Sequence, residues 1–142
     1  MAIKKQQTKG FDLADLKPTL DTITVELKHP ITGEDLIKDD GTVMSIEVFA
    51  PYAKDYKKVF HEQANKRLKE RSKKGKVDFT YEEIEDGSLD LLARTTASWN
   101  LQLGGTNLPF SVAKAKEIYD EYFWIKEQVM EAQSDLENFM KN

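Results

Sequence analysis

Thr22-Ile23-Thr24-Val25-Glu26-Leu27-Lys28 decides the fold, because Ile23, Val25 and Leu27 alternate with Thr22, Thr24, Glu26 and Lys28, as a half-buried strand requires. His29-Pro30-Ile31-Thr32-Gly33-Glu34 follows with proline and glycine in turn positions. Asp39-Asp40-Gly41 gives a second turn signal before Met44, Ile46 and Val48 alternate again. Two antiparallel strands with a long connection are expected, and a short extra strand fits near residues 35–37. A lone hairpin is marginal in water, so this unit must pack on helices, on a third strand or on a partner.

On the N-terminal side, residues 1–10 are polar and basic without a hydrophobic period, and a mobile tail is expected because ordering them buries too little to offset backbone entropy. Phe11-Asp12-Leu13-Ala14-Asp15-Leu16-Lys17-Pro18 brings three apolar residues together before a proline that ends any helix, which predicts a short turn docking on the core. Residues 1–20 are therefore read as tail and docking turn. Residues 21–142 form one α+β domain, with a small antiparallel β unit at 21–50 packed on a mainly helical part at 51–142.

On the C-terminal side, Pro51 suits a first helical turn, and Tyr52, Tyr56, Val59 and Phe60 continue at helical spacing into the basic run of residues 65–76, with Gly75 placed to end the helix. Thr80 and Glu83 have capping-box spacing, so a helix begins at Tyr81. Its expected face is Ile84, Leu91, Leu92, Thr95 and Trp99, weakened in the middle by Asp86-Gly87-Ser88. Residues 99–110, with Gly104-Gly105 inside, read as a loop or irregular hairpin. Ser111 is an N-cap candidate. Beyond it Ile118, Tyr122, Ile125, Val129, Ala132, Leu136 and Phe139 recur in steps of four and three, the stripe of one long helix. Ile118, Ile125, Val129 and Leu136 are the expected core of that helix.

A chain of 142 residues is long enough for one core, and 39% hydrophobic with 32% charged residues places it outside the disordered class. The formal charge of −4 argues against general attraction to nucleic acid or anionic lipid. With no cysteine, disulfide frameworks, thiolate metal sites and cysteine nucleophiles are excluded. No apolar run near the N-terminus has the length of a signal peptide or membrane span, so a cytoplasmic protein is expected. The two histidines, His29 and His61, have no second ligand at metal spacing, and no nucleophile elbow or phosphate loop is present. No enzymatic activity, metal or cofactor is expected. The acidic cluster Glu82, Glu83, Glu85 and Asp86 sits where carboxylates favour a helix N-terminus. The basic run lacks interleaved aromatics and reads as a solvated helix end and loop, with no specific nucleic-acid binding.

The aromatic residues stand out instead. Phe123 and Trp124 lie beside the C-terminal stripe and Tyr119 widens it, giving an apolar face broader than packing on one neighbour needs. Core packing is one account of it. The other makes Tyr119, Tyr122, Phe123 and Trp124, together with Trp99 and Phe110 from the preceding segment, the candidate partner-binding residues.

The strand Val25-Glu26-Leu27-Lys28, the turn His29-Pro30-Ile31-Thr32-Gly33-Glu34, Trp99-Asn100, Leu108-Pro109-Phe110-Ser111 and the ending Glu137-Asn138-Phe139 together resemble tail assembly chaperones of long-tailed bacteriophages. The resemblance spans residues 21–140 and rests on the order and separation of short motifs. It implies a protein of the host cell cytoplasm that binds the hydrophobic tape measure protein, keeps it soluble while the tail tube protein polymerises around it, and leaves before the virion is complete. Such families often also make a longer form by ribosomal frameshifting. The basic residues 66–76 have no counterpart in that role. A structural subunit of the virion, at the head–tail joint or capsid, would use the same aromatic face as a permanent or self-associating interface. A small nucleic-acid-binding regulator would rest on the basic run alone.

Overall fold

The computed structural model describes residues 10–74 and 80–140. The fold is α+β. An antiparallel sheet in the order β1-β2-β3-β4 is built from Thr22–Glu26, Ser45–Phe49, Thr96–Leu103 and Thr106–Leu108. Among the described residues five α-helices accompany it: α1 (Lys54–Lys74), α2 (Tyr81–Arg94), α3 (Val112–Glu121), α4 (Phe123–Ser134) and α5 (Glu137–Met140).

The two strands expected from alternation form β1 and β2, paired from Thr22↔Phe49 to Glu26↔Ser45, with Val25, Leu27, Ile46 and Val48 buried. Between them the connection makes isolated bridges, Lys28↔Asp35 and Ile37↔Val43, where a short strand was expected. Buried Lys38 holds this excursion to β3 by donating from Nζ to Asn100 Oδ1 at 2.6 Å, so its charge is not stranded in the core. At the outer edge of the sheet Gln128 of α4 acts as a strand substitute. Its carboxamide accepts from Lys28 N and donates to Lys28 O, both at 2.9 Å.

The sheet extends beyond the expected β unit, because the segment read as a loop or irregular hairpin is β3 and β4. Gly104 and Gly105 have φ of 63° and 81°, the two positive values that a two-residue type I′ turn demands and that glycine adopts without strain. Thr95 and Trp99 consequently leave the helical face assigned to them. The α2 helix ends at Arg94 and the chain enters β3 at Thr96, where pairing with β2 outweighs helical spacing. Asp86-Gly87-Ser88 does not split α2. A Cβ on Gly87 would stand 3.3 Å from Arg67 Nη2, and Gln63 Nε2 donates to Gly87 O at 3.0 Å, so this glycine lets α1 come close. Ile84, expected on the inner face, is exposed.

The long C-terminal helix is three helices. Extended backbone at Asp135 (φ −88°, ψ 103°) breaks the stripe, and Asp135 then accepts from Glu137 N at 3.1 Å as a new N-terminal cap. The break shifts the phase. Leu136, expected in the core, is 56% exposed, while Phe139 is 1% exposed and packs edge-on against Tyr52. Ile118, Ile125 and Val129 are buried as expected.

Near the N-terminus residues 13–16 do form a turn, a 3-10 helix capped by Asp12, but it does not dock: Phe11 is 90% and Leu13 84% exposed. Pro51 precedes α1 in a turn, the helix starting at Lys54, and Phe60 points outward. The tail at residues 1–9 and the expected helix end at Gly75 lie outside the described residues.

Phe139→Ala is expected to cost about 3–5 kcal/mol in denaturant unfolding, as emptying a filled aromatic site does. Leu136→Ala should stay within about 0.5 kcal/mol of the parent, as for other surface changes. Equal losses would contradict the phase shift at Asp135.

Candidate functional site

Six aromatic residues were singled out as partner-binding, and the fold divides them. Tyr119 belongs to the core, not to a contact surface. It lies on α3, where it shares the buried face of the helix with Ala115 and Ile118. Its hydroxyl lies 2.7 Å from Thr96 Oγ1. Because Thr96 already donates its own proton to Leu92 O at 2.8 Å, Tyr119 is the donor of that pair. Burial pushes the phenol up to about 12, since a phenolate there would lose its hydration.

Trp99 and Phe110 form one pair, ring centroids 5.0 Å apart and planes at 89°. The Trp99 indole donates to Leu108 O at 2.8 Å, locking β4 and the approach to α3 onto β3. Ser111 caps α3 as expected, accepting from Lys114 N at 3.1 Å. Both rings are half-buried against the main core, so much of their apolar area stabilises the hairpin itself.

Tyr122 and Trp124 form a second pair, 6.3 Å apart at 82°. Residues two apart on a continuous helix do not face each other. They meet here because the chain breaks at Tyr122 (φ −112°, ψ 73°) between α3 and α4. The same break turns Phe123 outward, leaving it 62% exposed. Further along α4 Met130 is also exposed, and Leu136 follows beyond the helix end. Sequence reasoning missed Met130 because it falls between stripe positions, and misassigned Leu136 because the phase shift at Asp135 carried no proline or glycine signal.

The histidines are placed away from these rings. His29 Nδ1 accepts from Ile31 N and Thr32 N at 3.1 and 3.2 Å, closing its own turn, and His61 is exposed beside Phe60. Among the described residues, no group of three or more His, Cys, Asp or Glu is arranged to hold a metal ion, and no helix is long and apolar enough to cross a membrane. Thr80 caps α2 by accepting from Glu83 N, which assigns Glu82 and Glu83 to the helix N-terminus. The described part of the basic run continues α1, with Lys66, Lys69, Arg71 and Lys73 exposed. No protein-family model, curated protein or solved structure matches the chain.

Tyr119→Phe should cost about 0.5–1.5 kcal/mol by removing a buried donor. A raised phenol pKa means the native state holds that proton more tightly than the unfolded chain. Its contribution is whole below about pH 10 and is lost as pH rises toward 12. Burial also raises Tyr52 and Tyr56, so absorbance titration of the tyrosines should show several late-ionising groups in the parent and one fewer in Tyr119→Phe.

Proposed function

We propose that this protein is a tail assembly chaperone of a long-tailed bacteriophage, holding the tape measure protein soluble in the host cytoplasm while tail tube protein polymerises around it. The observation that carries the reading is the exposed Phe123, presented beside the half-buried Tyr122–Trp124 pair by the helix break at Tyr122. An aromatic anchor held on rigid elements within a charged body is what capture of an apolar helical partner needs, since such helices dock by laying an apolar face on a prepared apolar surface. The motifs that resemble those of the chaperone family support the same reading. Leu108-Pro109-Phe110-Ser111 leads from the sheet into capped α3, and Glu137-Asn138-Phe139 closes the C-terminus onto β1. The protein acts as a binding partner with no chemistry of its own. Of the six candidates, Phe123, Tyr122 and Trp124 make the contact, and Trp99 and Phe110 support it.

Co-expression with the tape measure protein tests this directly. The parent should bring that protein into the soluble fraction, and Phe123→Ala should melt at the parental temperature while binding at least about tenfold more weakly, the loss typical of an interface anchor. Purified virions should lack the protein. Its stoichiometric presence in virions would favour a structural subunit, and retention of full capture by Phe123→Ala would move the binding face elsewhere.

A further inference from the structure

The N-terminal turn is difficult to explain as part of a monomer. Phe11, Leu13 and Leu16 are 90%, 84% and 47% exposed, yet the turn that presents them is ordered by Asp12, which accepts from Ala14 N at 3.0 Å. Three apolar side chains held in water by a capped turn have no role in the core they fail to reach.

The root of this arm is fixed. Thr19 N and Leu20 N both donate to Phe139 O at 3.2 Å, and the Tyr52 hydroxyl donates to Leu20 O. Tyr52 and Phe139 also line an open groove of about 340 Å³, with Pro51 and Leu136 as further apolar wall and Lys57 at its rim. That volume has room for a phenyl ring with a leucine side chain beside it. Lys54, Lys57 and Lys58 outnumber Asp55 on the exposed first turns of α1, and the arm carries Asp12 and Asp15 between its apolar residues, with Lys17 at its root. Arm and groove are therefore complementary in both apolar character and charge. In a single chain they do not meet. Lys17 is extended (φ −73°, ψ 129°) ahead of Pro18, and the turn before it leaves Phe11 and Leu13 in solvent.

We propose that the groove takes the N-terminal arm of a second copy of this chain, in a reciprocal exchange that inserts Phe11 with Leu13 or Leu16 beside Leu136 and sets Asp12 and Asp15 against Lys54, Lys57 and Lys58. Exchange of an identical element between protomers closes as a two-fold dimer at low cost, because each contact is used twice. The groove is lined by none of Tyr122, Phe123 and Trp124.

Sedimentation of the full chain across a wide concentration range tests this, using two variants at exposed positions. One replaces the arm residues, Phe11→Ser with Leu13→Ser and Leu16→Ser. The other blocks the groove, Lys57→Glu with Leu136→Glu. The parent should form a dimer, and each variant should keep the parental melting temperature while self-associating at least about tenfold more weakly. Mixing the two variants should restore a heterodimer, because one intact arm still meets one intact groove. A parent that stays monomeric throughout, as when the arm serves a different partner, would overturn the proposal. So would an arm variant that dimerises like the parent, or a variant mixture that forms no heterodimer.

Discussion

Carrying a helix straight into a strand inside the core, with no loop between Arg94 and Thr96, confronts the fold with a corner of polar groups that water cannot reach. The placement of β2, α3 and α4 follows from how that corner is satisfied. The Thr95 hydroxyl turns back to Leu91 O at 2.8 Å and that of Thr96 to Leu92 O at the same distance, ending α2 by side chain. Phe49 N donates to Thr95 O, which ties in β2. The Tyr119 hydroxyl reaches Thr96 from α3, and Gln133 from α4 donates to Thr95 Oγ1 at 3.1 Å and to Phe49 O at 2.8 Å. Three helices and two strands thus meet at two adjacent threonines. Loss of the Thr96 hydroxyl leaves the buried Tyr119 donor unpaired, which is more damaging than the loss of one exposed bond.

This corner also explains why the aromatic face is presented as it is. Tyr119 is held inward by Thr96 and Gln133 holds α4 down, so α3 and α4 cannot run as one straight rod along the sheet. The backbone breaks at Tyr122 between these two anchors, Tyr122 and Trp124 fold against each other, and Phe123 is turned to solvent. Presentation of the aromatic face and packing of the core are then two consequences of the same geometry. The basic helix α1 stands apart from this arrangement, joined to α2 by Gln63, which donates to Gly87 O and Asp90 Oδ2, and by the Arg94–Glu62 ion pair. Its last turns expose Lys66, Lys69, Arg71 and Lys73.

Much of the fold was legible in the sequence because it rests on local signals. Alternation over 22–28 and 44–48 fixed two strands, and Thr80 and Ser111 marked two helix starts through the backbone N–H groups that they accept. The candidate site was legible in part. Phe123, Tyr122 and Trp124 were found as an excess of apolar residues beside a helical stripe, but which of them faces water depends on a break that no proline or glycine announces. Tyr119 looked like its neighbours until Thr96 supplied a buried partner for its hydroxyl.

The sequence by itself determined the α+β class, the first hairpin, the caps of α2 and α3, and the buried run of Ile118, Ile125 and Val129, because each follows from spacing or chemistry within a few residues. Only the tertiary structure decided that residues 96–108 are strands, that Asp135 ends one helix and starts another, and that Leu136 and Phe11 stand in solvent while Phe139 is buried. Those outcomes depend on partners far along the chain. Thr96 joins a strand because Val48 is there to pair with it, and Phe139 turns inward because Tyr52 is there to receive it.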